Sequence, residues 1–252
     1  MAKFGQSDDL QGAEFFEANL RGARFVESDL SGAVMRGVDI QGADIDAPWL
    51  AEPGASLTVN GVEVAAYVEA ELNRRFPGRA DRRAEDPDGL RVAWAKLEQT
   101  WSATIERVAG MPEGSADVSV DGEWSFAQTL RHLVHAIDLW FGRSILERED
   151  FHPLGLGHAA DDALTEKPPY AEVLEAHAGR FAMVRDFIAT VTPAELDTPR
   201  KNPHGPHPET TRSCLHVILG EGWEHHRFTT RDLNTIEAAR VIPRGASDAP
   251  VL

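Results

Sequence analysis

Glu221 and His225 are the residues of this chain whose types and spacing could do chemistry. They lie in the stretch CLHVILGEGWEHHRFTTRDL, Cys214–Leu233. Read as a helix, this stretch places Cys214, Val217, Ile218, Glu221, His225 and Phe228 on one stripe about 100° wide. Four of the six suit a buried face. The other two are a carboxylate and an imidazole one turn apart, pointing where the apolar residues point. A carboxylate aimed into a core is costly unless it is paired, protonated or bound to a metal. Side chains at i and i+4 stand about 6 Å apart at Cβ, close enough to ligate one ion together. A buried pair bonded to each other, or to Arg143 or Arg231, is the structural alternative. A metal centre would need a third ligand from elsewhere in the chain.

The elements that must position these groups are helices. Leu90–Ala109 carries Val92, Leu97, Trp101 and Ile105 at helical spacing, and Ser125-Phe-Ala-Gln128 reads as a capping box opening a second helix. That helix is expected to run to about Leu146, with Phe126, Leu130, Leu133, Ile137, Trp140 and Phe141 on its apolar face. Pro168-Pro169 precedes a third, Tyr170–Val191, and the Pro- and His-rich loop 202–208 leads into the fourth. Four amphipathic helices with two long loops fit a four-helix bundle, whose interior is where such folds build cofactor sites. Before them, residues 47–62 read as a turn-rich linker with one strand at Ser56–Val59. Val62–Phe76 has helical spacing, and Gly78–Gly89 reads as a charged surface loop.

Composition narrows the partners. A net charge of −16 argues against a nucleic-acid backbone or an anionic membrane. The single cysteine, Cys214, rules out an internal disulfide framework and suits a reducing cytosol. No apolar leader core or membrane-length run is present, so the expected location is cytoplasmic.

A second pattern occupies the N-terminus. Leu10, Phe15, Leu20, Phe25, Leu30, Met35, Ile40 and Ile45 recur every five residues. Two positions before the later of these large residues stand Ala13, Ala18, Ala23, Ser28, Ala33, Val38 and Ala43. Strict period five fits neither a helix nor a flat strand. The segment resembles the pentapeptide-repeat family, which implies a right-handed quadrilateral β-helix with the large and small residues inside. Eight units make about two coils, short enough to expose both ends and to need capping. The resemblance is therefore taken to imply a structural or docking role. Some members of that family are acidic DNA mimics, and this segment carries nine acids to four bases.

The C-terminal region resembles another family. WSFAQTLRHLVHAIDLW, followed by EGWEHHRFTTRDL, is similar to the DinB-like superfamily, which includes mycothiol-dependent maleylpyruvate isomerase. The likeness covers about residues 88–235. It implies a metal-binding His eight residues after a Trp at the helix start, here His132 after Trp124. The isomerase branch implies Glu-x-x-x-His on the last helix, matching Glu221 and His225. Other branches use His-x-x-x-His, a register that would employ positions 222 and 226; position 222 is Gly, while His226 is present. On the helical wheel His132 shares a mostly polar stripe with Gln128, Ala136, Leu139 and Arg143, either solvated or facing a cleft. Only the resemblance selects it over His135.

The expected architecture is α+β by segments, a short β-helix followed by a DinB-like four-helix bundle. The expected division is 1–48 repeats, 49–87 linker with one short helix, 88–235 bundle and 236–252 tail. The resemblance implies a divalent metal on His132, Glu221 and His225, with Zn²⁺ first and Ni²⁺ or Mn²⁺ next. It also implies a low-molecular-weight thiol such as mycothiol, held as a thiolate. The implied activity is a thiol-dependent transferase or isomerase reaction on a small electrophile. A non-catalytic interaction module with a vestigial site and a metal-dependent hydrolase remain the alternatives. His135 and His226 are read as residues supporting the ligands or as an alternative ligand, and Arg231 as a group that could orient an anionic substrate. His177 reads as a satisfied core histidine and Cys214 as a small buried apolar residue. Trp140 and Trp223 read as packing residues. His152, His158, His204 and His207 fall in loops. A homo-oligomer or protein partner would engage through the repeats.

Overall fold

The structure is a computed structural model. It describes residues 3–5, 8–52, 54–157 and 167–241. The chain divides into two compact units, Met1–Asp46 and Ala47–Leu252. His158 and the tail beyond residue 241 lie outside the described residues.

In the first unit the period-five sequence produces a period-ten chain path. Asp9, Asn19, Asp29 and Asp39 each accept a hydrogen bond from the backbone N–H two residues on. Such side chains are built to close turns this way. Each turn is sealed by a backbone bond, from Ala13, Ala23, Ala33 and Ala43 to the residue three before, and passes through a left-handed glycine at 12, 22, 32 or 42. Three of the four alternate units carry Glu14, Arg24 and Val34 where the first set carries Asp or Asn, and lack that turn chemistry; the fourth carries Asp44. The structure does not confirm the β-helix expectation. No strand forms among the described residues of this unit, and the eight large apolar residues remain 45–62% exposed. With two coils at most, each has a neighbour on one side only, so the intended interior rows stay uncovered.

The second unit opens with a small hairpin. Strands β1 (Thr58–Val59) and β2 (Val62–Glu63) pair antiparallel around Asn60-Gly61, both at positive φ. This is the backbone a two-residue hairpin turn requires. It displaces the expected helix start at Val62, and α1 spans Ala65–Arg75. The segment expected as a charged surface loop is partly interior. A 3-10 turn at Arg79–Arg83 buries Arg79 and Arg82, at 1% and 6% exposure.

Helix α2 (Pro87–Ala109) starts on Asp86, whose carboxylate accepts from the Gly89 N–H, with Pro87 in the first turn. Its buried stripe is Leu90, Ala93, Trp94, Leu97, Trp101, Thr104 and Val108; Val92, expected on it, is exposed. Helix α3 (Phe126–Ile137) begins with the expected capping box, Ser125 and Gln128 each bonding the other's backbone N–H. It continues as a π-helical turn, Asp138–Arg143. Helix α4 spans Tyr170–Thr190, α5 is a single turn at Pro193–Leu196, and β3 (Pro199–Arg200) pairs with β4 (Glu209–Thr210). Helix α6 runs from Thr211 to Val241, longer at both ends than the periodic stretch suggests.

The four long helices close a ring in which α2 meets α4 and α6, and α3 meets α4 and α6. Their apolar stripes form one core around Trp94, Leu97, Trp101, Leu130, Phe141, Ile188, Leu215 and Trp223. No helix among the described residues is long and apolar enough to cross a membrane.

Candidate metal centre

His132 rises from the middle of α3 and is 2% exposed, so its polar stripe faces neither solvent nor an open cleft. The loop 152–157 folds over that stripe. Leu156 N–H donates to the Arg131 carbonyl, and the Arg131 guanidinium donates to the Leu154 carbonyl. The Leu156 carbonyl in turn lies 3.0 Å from His132 Nδ1. A carbonyl only accepts, so Nδ1 carries the proton and Nε2 presents a lone pair.

Glu221 and His225 come from α6, one turn apart as the helical wheel requires. Glu221 Oε2 stands 3.4 Å from His132 Nε2 and 3.2 Å from His225 Nε2. One donor atom from each of the three lies within 4.8 Å of the others. Two ligands about 2.0–2.1 Å from a tetrahedral ion sit roughly 3.4 Å from each other. The two spacings to Glu221 match that, and two imidazoles with one carboxylate are a donor set that Zn²⁺ and similar ions accept. Burial alone would raise the Glu221 carboxyl, but the facing His132 and His225 imidazoles outweigh it and hold it well below the usual range. It is a carboxylate ready to ligate. The arginines offered as alternative partners are engaged elsewhere, Arg143 with Glu149 and Arg231 with Asp232.

Trp124, just ahead of the capping box, lies across the site. Its ring centroid is 4.7 Å from that of His132 and 6.1 Å from that of His225. It shields one side of both imidazoles from water.

The remaining expected residues separate cleanly. His135 packs under the loop that holds His132, against Phe151 and the Cα edges of Gly155 and Gly157, and its ring is 6.4 Å from that of His132. His226 points away: Nε2 meets Thr104 Oγ1 at 3.1 Å, and the ring lies edge-on to Trp101, Trp223 and Phe76. Burial and Arg107 lower its pKa to about 4. Gly222 closes the other register. A Cβ there would lie 2.6 Å from Leu97 Cδ2, so position 222 has no room for a side chain. Arg231 also stacks over Phe228. His177 is in the core against Phe181 and Trp101, but Nε2 has no hydrogen-bond partner among the described residues, which corrects the expectation of a satisfied histidine. Cys214 is fully buried, and burial pushes its thiol up to about 12. Trp223 is a core residue, and Trp140 is half-buried against the core and the His204 ring.

Some of the arrangement has no counterpart in the sequence reading. The Leu156 carbonyl is a backbone group without a residue signature. Arg79, buried behind α6, donates to Glu224 next to the site and to Glu69 and Asn73 on α1. Its only outward sign is an arginine-rich segment that resembles solvated loop.

The fold and the donor set define a class: a bundle of four long helices with two imidazoles and a carboxylate converging inside it. Within that class the chain belongs to the DinB superfamily, whose family model matches residues 96–228, over half its length. The pentapeptide-repeat model matches eight copies across residues 9–46. No curated protein matches the chain. A crystal structure of a protein from Streptococcus pneumoniae is similar at 17% identity and a TM-score of 0.42, over 60% of this chain and 91% of that one.

Proposed function

We propose that this protein binds one divalent metal ion through His132, Glu221 and His225 and uses it in a thiol-dependent transfer or isomerisation of a small electrophile. The observation that carries the metal reading is the convergence of three donor atoms within 4.8 Å, one on an imidazole whose other nitrogen is fixed by the Leu156 carbonyl. A bound ion of this kind supplies Lewis acidity that keeps a coordinated thiol as a thiolate at neutral pH.

The chain's own residues do the rest. The Leu156 carbonyl fixes the tautomer and ring plane of His132, the supporting contact that metal-ligating histidines use. Glu221 stays ionised and contributes the negative charge. Trp124 excludes water from one face of the imidazoles. Cys214 supplies no nucleophile, because its thiol is buried and protonated at neutral pH. The reacting thiol therefore comes from a small molecule, and the resemblance to the isomerase branch points to mycothiol as the first to try.

The test mixes metal-loaded protein with a small electrophile, maleylpyruvate first, in the presence and absence of mycothiol. Turnover that requires both the thiol and the metal supports the reading. Turnover that persists without any thiol would replace it with metal-assisted hydrolysis.

A further inference from the structure

Helix α6 continues the line of the candidate metal ligands. After Glu221 and His225 the next turns bring Thr229 and then Asp232, Leu233 and Ile236 to the same side. Together with Val118, Trp124, Phe126 and Thr129 they line a small cleft with a cavity of about 10 Å³. That is room for about one water-sized group. Trp124 belongs to both places, lying against the His132 and His225 rings and forming part of the cleft wall.

Thr229 is the informative residue. Threonines inside these helices bond the carbonyl four residues back, as Thr100, Thr104, Thr230 and Thr235 all do. Thr229 does not. It is 4% exposed, and its hydroxyl has no hydrogen-bond partner among the described residues. A buried hydroxyl left in that state is a standing cost, and it lies in the wall of a cavity of hydroxyl size. Asp232 beside it is 9% exposed and accepts from Arg231 at both oxygens, 2.7 and 3.2 Å. A carboxylate has about four acceptor sites, so it can still accept from a ligand. Its charge is already balanced by Arg231, which removes the advantage of a cation over a neutral donor.

We propose that this cleft is a second binding subsite, which takes one hydroxyl group of the same small molecule whose other end reaches the metal. Thr229 and Asp232 hydrogen-bond the hydroxyl, the one group for which the cavity has room. Along the helix axis Thr229 and Asp232 lie roughly 6 and 10 Å beyond His225, which sets the separation between the two ends. The proposal rests on the metal reading above and narrows its ligand to a hydroxyl-bearing thiol.

The experiment uses full-length protein of measured zinc content, titrated by calorimetry with 6-mercaptohexanol, hexanethiol and 6-aminohexanethiol. Thr229→Val keeps the shape and removes the hydroxyl. The expected result is about fivefold weaker binding of 6-mercaptohexanol to the variant, as one net hydrogen bond implies, with hexanethiol unchanged within twofold. Equal losses for both thiols, no loss for either, or tightest binding of the amine would overturn the hydroxyl subsite while leaving the metal site standing. Wild-type protein that retains no zinc would overturn both. Thermal unfolding without ligand is a separate check: Thr229→Val should melt at or above the wild-type temperature. A fall of several degrees would mean the hydroxyl is structural and the subsite is absent.

Discussion

Arg79 Nη2 lies 2.8 Å from Glu224 Oε1, joining side chains 145 residues apart beneath the helix that carries two of the three candidate ligands. The same guanidinium reaches Glu69 Oε2 at 2.7 Å and Asn73 Oδ1 at 2.8 Å, and Arg227 holds the other oxygen of Glu224. Burial would raise the Glu69 carboxyl, but Arg82 and Arg79 bring it down to about 2. The network anchors α1 and the Arg79–Arg83 turn to α6. Breaking it by Arg79→Ala leaves buried Glu224 with Arg227 alone, and removing one partner from a buried ion pair costs about 3–5 kcal/mol. Urea denaturation of the variant is expected to show a loss of that size. A loss under about 1 kcal/mol, the range of surface pairs, would show that the network is not a buried anchor.

At Gly222 α6 and α2 approach closely, with Trp101 Nε1 donating to its carbonyl at 3.1 Å. Gly222→Ala drives a methyl into Leu97, which is fully buried. Overpacking of this kind costs about 1–3 kcal/mol, more than the helix propensity gained by replacing glycine. The variant should have a lower urea midpoint. A higher midpoint would show that the helices can part at no cost.

His177 gives the fold a pH dependence. Burial lowers its pKa from 6.5 to about 3, so between those values the unfolded chain binds the proton and the folded chain does not. Stability from this residue is therefore complete above 6.5 and falls as the pH drops toward 3, by about 1.4 kcal/mol per unit. With metal removed, wild type should lose about 2 kcal/mol more than His177→Leu between pH 6.5 and 5. Parallel curves would show that His177 binds its proton as readily in the fold as in the unfolded chain.

Cys214→Ala should keep all thiol-dependent turnover, because the buried thiol is not the nucleophile, and should lose about 1–2 kcal/mol of stability through the small void it leaves. Abolished turnover in a folded variant would assign the cysteine a chemical role.

The helices and the Glu221–His225 pair were legible because their information is local. Period 3.6, a capping box and proline punctuation do not depend on distant residues. Burial of His132 was not legible from the wheel, because its polar stripe is covered by loop 152–157, and a backbone carbonyl completes the arrangement. Arg79 was missed for a related reason: its surroundings, Arg79-Ala-Asp-Arg-Arg83, look solvated until Glu224 and Glu69 arrive from elsewhere. Asn60-Gly61 did carry a hairpin signal, outweighed by the helical spacing after it. In the repeats the five-residue phase was plain, but whether its large side chains become an interior depends on neighbouring coils, and two coils leave them exposed.

The most direct test of the account is elemental analysis of protein purified without chelators, wild type beside His132→Ala, Glu221→Ala and His225→Ala. The account predicts close to one equivalent of divalent metal in the wild type and a steep loss in each variant, with the fold retained by circular dichroism. Less than about a tenth of an equivalent in the wild type, where ligation this complete implies tight binding, or full occupancy in the three variants, would contradict it.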